Sequence, residues 1–86
     1  MTIEEMHLII SQEKLDKYNR FYFGRRYIGE NCLSMKAIDD DQYEICITGE
    51  RGNHHICVLS ESEACDEVIK YLRFGKQMHI QFGSRW

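Results

Sequence analysis

The stretch "YEICITGERGNHHICVL", residues 43–59, decides how this chain folds. Two apolar runs flank Gly49-Glu50-Arg51-Gly52-Asn53, a segment with two glycines able to take positive φ. The pattern predicts a β-hairpin centred on Arg51 and Gly52. In that register Ile47 pairs with Ile56 and Ile45 with Val58 on an apolar face. Cys46 then pairs with Cys57 on the opposite face, which His55 shares. Cys46, His55 and Cys57 are therefore the candidate metal ligands. Structural zinc takes four ligands, commonly as paired half-sites such as C-x2-C and H-x3-H. The stretch has neither, and a fourth ligand would have to come from elsewhere, such as Cys32. The reading preferred here is a solvated hairpin with a cross-strand thiol pair, no metal and no cofactor. A Cys–His nucleophile needs a third group to orient the base and an oxyanion site. Neither is visible nearby.

Alternation continues upstream. Leu33, Met35 and Ala37 oppose Cys32, Ser34 and Lys36, and Asp39-Asp40-Asp41-Gln42 reads as the turn into the next strand. Phe21 and Phe23 alternate with Arg20 and Tyr22 before Gly24, which adds a strand at the front. Thr2 and Glu5 form a T-x-x-E capping box, and Ile3, Met6 and Ile10 recur near helical spacing, so a helix is expected over about Ile3 to Leu15. Ser60 and Glu63 form a second box. Ala64, Cys65, Val68, Tyr71 and Leu72 supply a buried stripe, and Gly75 reads as the C′ residue. Beyond it, Met78, Ile80 and Phe82 alternate and allow one more strand.

The expected fold is α+β, a single small domain in the order α-β-β-β-β-α. Short connections favour an antiparallel four-stranded meander, covered by two helices. Residues 1–75 form this domain, and 76–86 are a tail, either an extra strand or a packed arm.

Composition narrows the function. The 86 residues are 43% hydrophobic and 29% charged, with no proline, which is the balance of an ordinary globular domain. The net charge of −3 argues against a general nucleic-acid binder. "MHLII" follows Glu4 and Glu5, is too short for a secretory signal, and no run reaches the length of a membrane span, so the cytoplasm is the expected compartment. The four cysteines are then expected reduced.

A meander also sorts the charge. The Asp39–Asp41 turn and the start of the second helix, with Glu61 and Glu63, share one end of the sheet. Arg25, Arg26, Arg51, Lys70, Arg73 and Lys76 are expected at the other. An acidic end steers a basic partner toward itself.

"CLSMK" at 32–36, "YEICITGERG" at 43–52, "SESEACDEVIKYLR" at 60–73 and "TIEEMHLIISQEKLDKY" at 2–18 together resemble a family of small bacterial immunity proteins of polymorphic toxin systems. The resemblance implies a non-catalytic cytoplasmic inhibitor that binds the C-terminal domain of one cognate toxin. Asp39, Asp40, Asp41, Glu44, Glu61 and Glu63 are the candidate toxin-binding residues. A nuclease is the toxin class their charge would best oppose, because nucleases present cations to phosphates. Such a protein is expected as a monomer or weak homodimer, without membrane attachment. Two alternatives remain: a small nucleic-acid-binding domain using the basic end and Tyr22, and a zinc-binding structural module.

Overall fold

A computed structural model describes residues 1–26, 31–49 and 54–82. Helix α1 spans Ile3–Glu13. A 3-10 turn follows at Leu15–Lys17. Strands β1 (Arg20–Phe23), β2 (Cys32–Asp39), β3 (Gln42–Thr48) and β4 (His54–Leu59) come next, and helix α2 spans Glu61–Phe82. The strands lie in sequence order in one four-stranded sheet. The α+β class and the element order are those expected.

The sheet is mixed and not a pure meander. β1 runs parallel to β2, with Arg20 beside Cys32 and Phe23 beside Met35, while β2–β3 and β3–β4 are antiparallel. A short connection was the argument for an antiparallel pair. Because β1 has only four residues, the segment between Phe23 and Cys32 is long enough to return along it. The Gly24 amide, at φ +100°, already donates to the Met35 carbonyl at 2.8 Å.

The hairpin register is displaced by one residue from the expected one. Ile45 pairs with Cys57, Cys46 with Ile56, and Ile47 with His55, because five residues separate the last ladder pair, Thr48 and His54. A one-residue slip turns every side chain of a strand to the other face. Cys57 and Leu59 therefore pack with Ile45 and Ile47 against the helices, whereas Ile56 and Val58 are exposed.

Both helices cover one face of the sheet. Met6 and Ile10 of α1 join Ala64, Cys65, Val68, Ile69 and Leu72 of α2 over Leu33, Met35 and Ile45. The thr-x-x-Glu box is formed in full: the Glu5 amide donates to Thr2 Oγ1 at 3.2 Å and the Thr2 amide to Glu5 Oε1 at 2.9 Å. α1 stops at Glu13, two residues before its expected end, because Lys14 takes a left-handed conformation. Ser60 caps α2, accepting from the Glu63 amide at 3.3 Å.

Gly75 does not end α2, and residues 76–82 are helix, not strand. Gly75 is buried where α2 meets Asn19, whose Nδ2 donates to the carbonyls of Leu15 and Leu72, both at 2.9 Å. A Cβ at position 75 would fall 2.0 Å from Asn19 Oδ1. The glycine therefore admits a neighbour and does not terminate a helix.

The face away from the helices is also closed in part. Cys32, Ser34, Cys46 and Thr48 are nearly inaccessible there, and Glu44 is 6% exposed. The chain leaving β1 crosses to this face, where the Arg26 guanidinium grips the Glu44 carboxylate through Nε at 2.8 Å and through Nη2.

Candidate functional site

The two helices run parallel, so both begin at the same end of the sheet as the β2–β3 turn. The amino group of Met1 donates to Ser62 Oγ at 3.2 Å, and the Ile3 amide to Glu61 Oε2 at 3.2 Å. The Glu61 amide in turn donates to Asp41 Oδ1 at 3.1 Å. A carboxylate from the turn thus caps α2, and a carboxylate from α2 caps α1. Each satisfies an amide that the helix leaves free and sits where the helix dipole favours negative charge.

This geometry divides the six candidate carboxylates. Asp39, Asp40 and Glu63 are exposed, and none forms an ion pair with a described residue. The Asp39 side chain accepts from the Asp40 amide at 2.8 Å, and Glu63 from the Ser60 hydroxyl at 3.0 Å. Asp41 and Glu61 are engaged in capping. Asp41 also holds a positive φ of 52° that completes the tight turn.

Glu44 is set apart from the other five. It lies on the outer sheet face, nearly buried under Arg26, whose hydrogen bonds hold its carboxyl below the ordinary 4.5 despite the opposing effect of burial. It is a structural ion-pair partner and offers little surface to a ligand.

The expected charge separation changes in the same region. Parallel β1 carries Gly24 to the Met35 level of β2, which puts Arg25 and Arg26 past the middle of the sheet toward the acidic end. The antiparallel reading placed them at the far end. Arg73 and Lys76 do lie there. Arg73 binds Glu13 through two hydrogen bonds, 3.0 and 2.6 Å, and Lys76 Nζ donates to the Glu13 carbonyl at 2.8 Å, neutralising the C-terminal end of α1. Arg51 lies outside the described residues, as do Glu50, Gly52 and Asn53 of the hairpin turn.

The candidate metal ligands are divided by the sheet. Cys46 is on the outer face, fully buried, with its Sγ 3.9 Å from Thr48 Oγ1. Cys57 and His55 belong to the helix-side face. The cross-strand thiol pair is therefore not formed. Among the described residues no three His, Cys, Asp or Glu side chains cluster closely enough to hold a metal ion. All four cysteines are free thiols. Burial pushes the Cys65 thiol up to about 11 and raises that of Cys57, which keeps both protonated.

A second feature lies at the far end and was not legible from the sequence. A cleft of about 680 Å³ opens between the residues that lead into β1 and the second half of α2. Asp16, Lys17, Tyr18, Asn19, Arg20 and Asn31 line one side. Tyr71, Phe74, Gly75 and His79 line the other. Tyr18 meets His79 edge-on at 5.0 Å, and the ammonium groups of Lys17 and Lys76 lie 5.9 and 5.6 Å from the Tyr18 ring centre. Its wall on α2 recurs at 71, 75 and 79, a helical spacing that is hidden when Gly75 is taken as the helix end.

No helix among the described residues is long and apolar enough to cross a membrane. Compared with known protein families, curated proteins and solved structures, the chain matches none.

Proposed function

We propose that this protein is a non-catalytic inhibitor of the immunity type, which uses its acidic end to cover a basic surface on a toxin domain. The observation that carries this reading is the grouping of Asp39, Asp40 and Glu63, exposed and without ion pairs among the described residues, at the end where both helices begin. Uncompensated carboxylates held on a rigid turn and a helix start give a field that steers a cationic partner and discriminates against acidic ones. The caps from Asp41 and Glu61 support it by fixing the turn relative to both helices, so little ordering entropy is lost on binding. Protonated thiols at the half-buried Cys57 and the buried Cys65 weigh against a cysteine nucleophile. A nuclease domain fits the acidic end best, because its phosphate-binding cations would be occupied directly.

The test is genetic and then kinetic. The C-terminal domain encoded by the neighbouring upstream reading frame is expressed in bacteria with and without this chain. Protection from growth arrest is the expected result, and loss of protection is expected with D39K/D40K. Arrest that this chain does not relieve would refute the reading. Unchanged protection and association rate with D39K/D40K would remove the acidic end as the interface.

A further inference from the structure

We propose that the cleft between the Lys17–Arg20 segment and the second half of α2 binds a nucleotide, with its phosphate on Lys17 and Arg20 and its base against the aromatic wall. The site is separate from the acidic end, and its argument is independent of the toxin reading.

Charge is the first observation. Lys17 and Arg20 line the cleft, and neither forms an ion pair with a described residue, whereas Arg26 and Arg73 are both paired. Lys76 stands beside them over Tyr18. Asp16 is the one carboxylate among the lining residues. An acidic molecule thus gathers unpaired cations in this cleft, which selects an anion.

Aromatic surface is the second. Phe74 is 58% exposed at the rim, next to the half-buried Tyr71 and across from Tyr18. A phosphate alone would leave these rings in water. A planar base adds stacking to the ionic contact, and every base has a π face to offer.

Unused hydrogen-bonding capacity is the third. His79 Nδ1 is shielded from water and has no hydrogen-bond partner among the described residues. Rotation of the imidazole would present that nitrogen to the cleft His79 lines, where a ligand supplies the partner it lacks. Asn31, held at a positive φ of 51°, adds an amide to the lining opposite. The volume lies within the ~300–1,000 Å³ of small-molecule sites.

The chemistry has two sources, a free mononucleotide or a nucleotide of single-stranded RNA. Amide NMR spectra of the full chain are recorded during titration with adenosine 5′-monophosphate, adenosine, inorganic phosphate, phenyl phosphate and a hexaadenylate. Shifts at residues 16–20, 31 and 71–79 are expected with the monophosphate, and weaker binding with adenosine or phosphate alone. R20Q and K17Q should each weaken the monophosphate about tenfold, while the spectrum outside the cleft keeps its native dispersion. Hexaadenylate binding at the same residues with a steep salt dependence identifies RNA as the source, and equal affinity for both identifies the free nucleotide. Four results would overturn the assignment: no shifts at millimolar monophosphate, shifts confined to other residues, affinity unaffected by both substitutions, or phenyl phosphate binding as tightly as the nucleotide.

Discussion

Replacing Gly75 by alanine should destabilise the protein, against the usual effect of that substitution in a helix. Within a helix, alanine is better than glycine by about 1 kcal/mol. Here the new methyl would lie 2.0 Å from Asn19 Oδ1 and 3.0 Å from its Cγ, so the Asn19 side chain must leave. It would give up its hydrogen bonds to the Leu15 and Leu72 carbonyls. Each contributes about 1 kcal/mol, and the Leu15 carbonyl keeps the Tyr18 amide as a donor. The helix gain offsets half the loss, leaving G75A less stable by about 1 kcal/mol. Asn19→Ala alone should cost about 2 kcal/mol by the same reckoning. Truncating Asn19 removes the three atoms nearest to a methyl at 75, and G75A should then stabilise by about 1 kcal/mol. The sign of one substitution therefore reverses with its neighbour, a coupling of about 2 kcal/mol, which urea denaturation of the two single variants and the double variant measures. Stabilisation by G75A in the native background, or equal destabilisation in both, would show that Asn19 is not what requires the glycine.

Three further outcomes follow from other parts of the structure. The Glu44 carboxyl is held below its ordinary 4.5 by Arg26, so its contribution to stability is complete above that value and is lost as the pH falls through the depressed folded value. Comparison of E44Q with the native chain in urea should show a stability gap at pH 7 that closes in acid, and a pH-independent gap would refute the assignment. Val58→Lys should change stability by less than about 0.5 kcal/mol, because Val58 is 51% exposed, whereas the register that pairs it with Ile45 would make the same change unfold the protein. In native conditions a disulfide reagent should modify Cys57 first, since Cys32, Cys46 and Cys65 are buried, and the latter three should react only at the rate of unfolding. Prompt reaction of Cys46 would refute the closed outer face.

What the sequence made legible depended on how many faces each element buries. The capping boxes at Thr2 and Ser60 located both helix starts because they require particular side chains three residues apart. The strands were legible as strands. Their register was not, because Ile45-Cys46-Ile47 and Ile56-Cys57-Val58 are apolar at every position. Alternation identifies a buried face only when the other face is polar. The buried Cys46 and the exposed Val58 reverse what size and hydrophobicity suggest. The direction of β1 was hidden by its length, since a strand of four residues allows a short return. At the acidic end, Asp39, Asp40, Asp41, Glu61 and Glu63 were correctly brought together, because β2, β3 and β4 are joined in sequence order. Glu44 was grouped with them by its alternation, but Arg26 closes over it from a connection that alternation does not describe.

The packing of α1 alongside α2 also bears on the order in which the chain assembles. From β2 to α2, sheet neighbours are neighbours in sequence and closure is local. The leading segment through Glu13 instead reaches α2 across 58 to 63 positions, through Ile3 to Glu61, Glu13 to Arg73 and Lys76 to Glu13. Closing such long loops is the slow part of folding. Docking of this leading segment onto a preformed trailing half would then be the rate-limiting event, and its arrival supplies Met6, Ile10 and Leu15 to a core that is incomplete until then.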